Sequence, residues 1–184
     1  FLRTKLAEAI DMAFGVSYQN EDGDSTGEIE FSPQFLLPTA YAISRNDRSA
    51  YAEIAIQPSN RLNLTASLRT DDPESSRRET TGNLGLAYDF LDERARIRLG
   101  WGNAFKLPSL FALADPLVGN FQLRPETVDS WEIGLDVASL GGTLTWQITA
   151  FKQRFDDLID FDFETFRTVN RSRVNARGGE LSSE

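Results

Sequence analysis

Catalysis and ligation need groups that titrate, attack or coordinate, and the inventory here is short. The 184-residue chain holds neither histidine nor cysteine. That removes the usual general base at neutral pH and the commonest transition-metal ligand, so Ser-His-Asp, Cys-His and His-zinc chemistries are excluded. Disulfides and thiolate metal sites go with them. Carboxylates remain. Asp22-Gly23-Asp24-Ser25-Thr26-Gly27 resembles the opening of a calcium loop, yet Pro33 stands at its twelfth position, which requires an acid, and strands rather than helices flank it. Asp160, Asp162 and Glu164 could also gather a hard cation. Both clusters read more simply as solvated acidic loops. No carboxylate pair has a spacing that selects it for acid–base work. The sequence therefore assigns no catalytic residue, metal ligand or cofactor, and the chain is expected not to be an enzyme.

A formal charge of -9 disfavours a nucleic-acid partner, which requires a basic face. What the charged residues do show is order. Arg94, Arg96 and Arg98 alternate with Ala95, Ile97, Leu99 and Trp101, and Glu132 and Asp136 lie opposite Trp131, Ile133, Leu135 and Val137. Successive side chains of a strand point to opposite faces, so each stretch has one apolar and one charged face. Such a sheet needs water on one side and an apolar medium, either a second sheet or lipid, on the other.

The same pattern recurs along the chain. It predicts strands from about Ile10 to Tyr18, Ser49 to Gln57, Arg61 to Thr70, Thr80 to Leu91, Arg94 to Trp101, Thr127 to Ala138, Thr143 to Asp156 and, less cleanly, Asn170 to Ser183. Residues 1–7 carry no assignment. Turn geometry and apolar pattern suggest pairing Ile56 with Leu62 and Ile54 with Leu64 around Pro58-Ser59-Asn60. They also pair Phe90 with Ala95 around Asp92-Glu93, which sets Asp89 against Arg96, and face Leu144, Trp146, Ile148 and Ala150 with Val137, Leu135, Ile133 and Trp131 beyond Ser139-Leu140-Gly141-Gly142.

Connections alternate between long (20–48, 103–126, 157–169) or medium (71–79) and short, so every long one leaves the same end. Sandwiches rarely do this; outer-membrane barrels do it routinely. No apolar run approaches the ~18 residues of a membrane helix, and a mean hydropathy of -0.35 is compatible with a barrel, whose strands alternate. Trp101 and Trp131 fall toward the long-loop ends, and Tyr88, Phe90 and Trp146 toward the short turns. These two bands bracket an aliphatic middle, as interfacial girdles do. The predicted fold is all-β: an antiparallel up-and-down transmembrane barrel, with about eight strands in this chain.

From Ser49 to Glu180 the chain resembles the TonB-dependent outer-membrane transporters. Ala50-Tyr51-Ala52-Glu53 and Leu68-Arg69-Thr70-Asp71 are similar to the family's "YaE" and "lRyD" strand ends. Asn103-Ala104-Phe105-Lys106-Leu107-Pro108-Ser109-Leu110 resembles "FkaPsl", and Asn120-Phe121-Gln122-Leu123-Arg124-Pro125-Glu126 resembles "NPxLkPE", with Trp131-Glu132-Ile133-Gly134 following. Phe151, Asp157-Leu158-Ile159, Asn170 and Arg177-Gly178-Gly179-Glu180 resemble "F…ddlI…N…rGvE". The pieces are short; their order and spacing carry the specificity. Phe121 stands where proline is usual and Gly179 where valine or alanine is usual. Asp157 to Phe161 is also similar to the cobalamin and catecholate-siderophore branches.

The resemblance implies a barrel of about twenty-two strands with an N-terminal plug in its lumen, and uptake of scarce, large ligands driven through the TonB complex at the cell outer membrane. Residues 1–184 then read as a partial barrel domain, with the plug, the TonB-contacting segment and the final strands outside it. The start at Phe1, without a charged-then-apolar leader, reads as a fragment or a processed piece. Phe105, Lys106, Pro108, Asn120, Leu123, Pro125 and Glu126 belong to the long-loop motifs, where they either touch ligand or fix the loop; the prolines end strands and Glu126 caps or pairs locally. Arg94, Arg96, Arg98, Glu132 and Asp136 are expected to line the lumen, as a hydrated wall or against the plug. Trp101, Trp131 and Trp146 are expected to form the lipid-facing girdle. The implied partners are outer-membrane lipid, the plug, the TonB system and a metal-chelate or cobalamin ligand. The alternatives are a self-contained eight-stranded outer-membrane barrel with a structural or adhesive role, and a soluble β-sandwich.

Overall fold

Strict alternation becomes strand wherever neighbouring segments share it, and here nearly all do. The computed structural model describes residues 1–33, 35–92, 94–139 and 143–183, with Phe31 described by its backbone alone. Among these residues, nine strands form one antiparallel sheet: β1 (Leu2–Ala7), β2 (Ile10–Ser25), β5 (Tyr41–Ser59), β6 (Leu62–Pro73), β7 (Glu79–Phe90), β8 (Ala95–Lys106), β9 (Glu126–Ser139), β10 (Leu144–Asp156) and β13 (Arg173–Ser183), in that spatial order. Two small hairpins ride on the connections, β3 (Glu28–Ser32) with β4 (Phe35–Pro38) and β11 (Ile159–Asp162) with β12 (Arg167–Asn170), together with one helical turn, α1 (Leu110–Ala114). Each sheet strand pairs with the next one along the chain, so the topology is up-and-down, with β1 and β13 at opposite edges. The connections carrying α1 and both small hairpins emerge at one end of the sheet, and tight turns occupy the other.

The registers align whole rows of apolar side chains. Phe90, Ala95, Val137 and Trp146 lie side by side on β7 to β10, as do Tyr88, Ile97, Leu135 and Ile148, and then Leu86, Leu99, Ile133 and Ala150. At the long-loop end of this face Trp101 lies opposite Trp131, with ring centroids 6.1 Å apart. Among the described residues no second layer covers this face: Leu99 is 43% exposed and Trp131 60%. A water-soluble monomer rarely leaves so large a contiguous apolar face open. Apart from Ala95, the buried hydrophobic residues belong to the long connections rather than to the space between two sheets.

Several expectations change in detail. The sheet has nine strands rather than eight, because residues 2–7 pair with β2. The segment expected to be a loop over 20–48 is mostly strand: β2 runs on to Ser25 and β5 begins at Tyr41, leaving a connection that holds the β3–β4 hairpin. Lys106 and Glu126, expected in a loop, are the last paired residues of β8 and β9. The segment 157–169 holds β11 and the start of β12, and the last strand begins at Arg173, not Asn170.

Two hairpin registers differ by two residues. Ile56 pairs with Leu64 and Ile54 with Ala66, because a bulge before Ser59 moves the turn to Asn60-Arg61. Trp146 pairs with Val137 and Ile148 with Leu135, which leaves Lys152, not Ala150, opposite Trp131. An even shift keeps every side chain on its face. The β7–β8 register, including Asp89 with Arg96, is as expected. The expected turn residues Glu93 and Leu140-Gly141-Gly142 lie outside the described residues.

Candidate functional site

The connection between β8 and β9 folds back over the sheet. Pro108 ends the extended segment, and the Ser109 hydroxyl caps α1 by accepting the Ala112 backbone N–H at 3.1 Å. Leu110 lies over Gly23, where a Cβ would come 2.8 Å from the leucine side chain, so glycine permits the close approach. Arg45, almost fully buried, donates to the Pro108 carbonyl at 2.8 Å and pairs with Glu21. Ala112, Leu113 and Leu123 form a small apolar core against Ile43 and Ile159, and burying each leucine contributes ~1.5–3 kcal/mol. The residues beneath this platform, Gly23, Ile43 and Arg45, stand on the charged face of β2 and β5.

Side-chain amides and hydroxyls then knit the platform to the β10–β13 connection. Asn170 accepts the Arg124 N–H at 2.8 Å and donates to the carbonyls of Arg124 (2.9 Å) and Asp157 (2.7 Å). Asn120 donates to the Thr168 carbonyl at 2.9 Å, and its own N–H reaches the Ala112 carbonyl at 2.8 Å. The buried Thr168 hydroxyl lies 2.9 Å from the carbonyls of both Ala112 and Val118. Glu126 accepts the Ile159 N–H at 2.7 Å and pairs with Lys106 at 3.3 Å.

Below the platform, the charged face is a ladder of ion pairs. Arg96 grips Asp89 through two bonds of 2.7 and 2.9 Å. Arg98 lies across Gly134, which stands opposite it, and makes two 3.0 Å bonds to Asp136, with Glu132 at 3.6 Å. Arg94 joins Asp89, Arg96 and Asp136 around a polar recess at the tight-turn end. Arg96, Arg98, Glu132 and Asp136 thus share one face of β8 and β9, with Arg94 in the turn beside it.

The seven loop-motif residues converge on one end of the molecule. Pro108, Leu123 and Pro125 are buried, Asn120 and Glu126 bond backbone, and Lys106 pairs with Glu126. Phe105 and Lys106 border a hollow of about 310 Å³ shared with Gln19, Glu21, Arg45 and Asp47. Trp146 falls at the tight-turn end of the apolar face and the other two tryptophans at the opposite end, as expected.

Three features escaped the sequence reading. Ser109 followed by Leu110-Phe111-Ala112-Leu113-Ala114 is a helix-start signal, masked by the surrounding strand periodicity. The Glu21–Arg45 pair lies in a stretch expected to be loop. Asp71, 2% exposed and held by three bonds from Arg69, sits near Asp47, whose Oδ1 has no hydrogen-bond partner among the described residues. As for the acidic clusters, Asp22 and Asp24 continue strand β2, and Asp160 and Asp162 pair with Arg171.

The platform has a built-in pH dependence. The Arg124 guanidinium, bonded to Asp157 at 2.5 and 3.2 Å, holds that carboxyl below the usual carboxylate range. A depressed folded-state pKa stabilises the platform above the unfolded value of about 3.9, and the contribution disappears as pH falls through the folded value. Protection factors at 107–125, which divide out the intrinsic pH dependence of exchange, should therefore hold from neutrality down to about pH 5 and fall below about pH 4. An Asp157→Asn variant should lack that acid-side step. An identical acid profile in the variant would remove Asp157 from the account.

Over residues 2–184 the chain matches the family model described as TonB dependent receptor-like, beta-barrel. It is 33% identical over 174 residues to the vitamin B12 transporter BtuB of Vibrio cholerae serotype O1, covering 94% of this chain and 26% of that protein. Its identity to BtuB of Photobacterium profundum is 28% over 158 residues, covering 84% and 23%. The chain thus spans about a quarter of the length of the curated relatives it matches. Two solved structures share the fold: the siderophore receptor PirA from Pseudomonas aeruginosa, with a TM-score of 0.79, 21% identity and coverage of 96% and 34%; and the ferric enterobactin receptor PfeA from the same organism in complex with enterobactin, with 0.79, 19%, 98% and 31%. An antiparallel sheet with one uncovered apolar face, one face of ion pairs and all its elaborated connections at one end is what such barrels are made of. The chain belongs to the TonB-dependent receptor-like β-barrel family, whose place is the outer membrane.

Proposed function

We propose that this chain is part of the barrel of a TonB-dependent receptor that takes up a scarce, large ligand of the cobalamin or metal-chelate type. The observation that carries the reading is the loop platform: two long connections hydrogen-bonded to one another and folded over the charged face of the sheet. A transporter needs a loop layer of this kind to receive ligand above a polar interior. The likeness to vitamin B12 transporters and to an enterobactin-bound receptor supports the ligand class. On this reading the apolar face with its tryptophans meets outer-membrane lipid. Arg94, Arg96, Arg98, Glu132 and Asp136 line the lumen against a plug supplied by the rest of the protein, which also couples to TonB. The seven motif residues hold the loop rather than contact ligand. Residues 1–184 act as a partial barrel domain with no catalytic step. Opposite edge positions for β1 and β13 favour the larger barrel over a self-contained small one.

The test is equilibrium binding of cyanocobalamin and of ferric enterobactin to the whole protein in detergent. One of the two should bind saturably, and replacing residues 107–125 with a short Gly-Ser linker should abolish that binding while the barrel still folds. If a folded barrel takes up neither ligand, or the linker variant binds like the parent, the proposal fails.

A further inference from the structure

Lys152 on β10 and Arg177 on β13 stand directly opposite one another on the face that carries Trp146, Ile148 and Ala150. Like charges placed across a strand pair repel. Among the described residues neither cation has an ion-pair partner. Their neighbours nearer the loops are compensated: Arg154 pairs with Asp129 at 2.9 Å and Asp156 at 3.1 Å, and Arg173 pairs with Asp156 at 2.7 Å. The uncompensated pair thus falls at one level of the face. That level is the tryptophan row, since Lys152 is also opposite Trp131.

The surroundings are apolar. One step toward the tight turns, Ala150 and Gly179 face each other, so the two cations overlook small residues that leave room beneath them. A recess of about 750 Å³ runs from Lys152 past Trp131 and Ile133 to Leu86 and Ile54. Its lining is almost wholly apolar, so it suits a hydrocarbon chain and offers little to a polar solute. Long basic side chains at the edge of a hydrocarbon layer extend their charge to the headgroup level, where phosphate resides.

We propose that Lys152 and Arg177 bind the phosphate of an anionic lipid whose acyl chain lies in the adjoining recess. The anion relieves the repulsion across β10 and β13, and the chain fills the space along Trp131 and Ile133. A free phosphate ion would meet the same two cations but leave the recess empty, so the structure favours the lipid. The inference rests on the apolar face being the membrane side, and it is independent of which ligand the loops receive.

The experiment extracts the whole protein from vesicles and counts retained lipid by native mass spectrometry. The vesicles carry either phosphatidic acid or diacylglycerol with the same acyl chains. The parent protein should retain phosphatidic acid preferentially. Lys152→Gln with Arg177→Gln should lower that retention roughly tenfold to thirtyfold, the effect of removing two cations from an anionic surface, while Lys152→Arg should preserve it. Millimolar inorganic phosphate should not displace the lipid. Equal retention of the two lipids by the parent, an undiminished signal in the double variant, or ready displacement by inorganic phosphate would each overturn the site. Heat-modifiable migration of the same samples reports folding separately, so a parent barrel that does not insert at all counts against the membrane-side reading instead. Both glutamine replacements remove a like-charge contact and should fold.

Discussion

Leu99→Arg should destabilise the barrel by ~2–4 kcal/mol in a bilayer, whereas Arg98→Leu, one residue away, should cost no more than ~1 kcal/mol. Leu99 sits in the row between Leu86 and Ile133, with the tryptophan row on one side and the Tyr88–Ile97–Leu135–Ile148 row on the other. That is the middle of the apolar face, where a guanidinium would meet hydrocarbon and find no partner. Arg98 points the other way, into the ladder with Asp136 and Glu132, and its side chain keeps 36% of its exposure. Partly exposed pairs of this kind contribute little, because water reaches both partners and side-chain entropy is lost in holding them. Its removal leaves Asp136 and Glu132 hydrated rather than stranded. The check is urea unfolding of the whole protein folded in lipid vesicles. Equal losses from the two substitutions would contradict the assignment of faces, and a larger loss from Arg98→Leu would reverse it.

The contrast between Leu99 and Arg98 was legible from the sequence because strand period two is local: each residue's face follows from its neighbour's. The Asp89–Arg96 pair was legible for the same reason, with a tight turn close enough to pin the register. Registers farther from a readable turn were not. The β5–β6 and β9–β10 pairings differ by two residues because a bulge before Ser59 and a strand that runs on to Ser139 leave no trace in the apolar pattern. The even shift hid the difference, since every face stayed correct. Beyond the apolar belt the signal fades. In β2 from Asn20 and in β5 before Ser49 both faces are largely polar, so the alternation disappears although the pairing continues to Ser25 and Tyr41. Residues 2–7 did carry a clue, with Leu2, Thr4 and Leu6 set against Arg3, Lys5 and Ala7, but one short stretch without a readable partner gives it little weight. The platform was legible only as motif fragments. That Asn170 bonds Arg124 across 46 residues depends on two loops meeting, which no local pattern encodes.

The second large effect follows from that meeting. Asn170→Ala should loosen the platform by about 1–3 kcal/mol while leaving the sheet intact. The side chain satisfies three backbone groups at once, the N–H and carbonyl of Arg124 and the carbonyl of Asp157, and alanine supplies none of these bonds. The Arg124–Asp157 ion pair closes the same junction, so its strength depends on the positions Asn170 sets. Asn170→Asp discriminates between two roles for the residue. A carboxylate of nearly the same shape can still accept from the Arg124 N–H, but it presents oxygen where the amide donated to two carbonyls, and oxygen facing oxygen repels. If the amide's donors hold the junction, aspartate should be at least as damaging as alanine; if only size or the single accepted bond mattered, aspartate would behave like the parent. Hydrogen exchange at Gln122 and Arg124, read beside the global unfolding midpoint, separates local from global loss. The expected pattern is fast exchange at those amides with an unmoved midpoint, because the strands pair along their whole length without help from the loop. Slow exchange in the alanine variant would mean that the platform is held by Thr168, Asn120 and the leucine core alone.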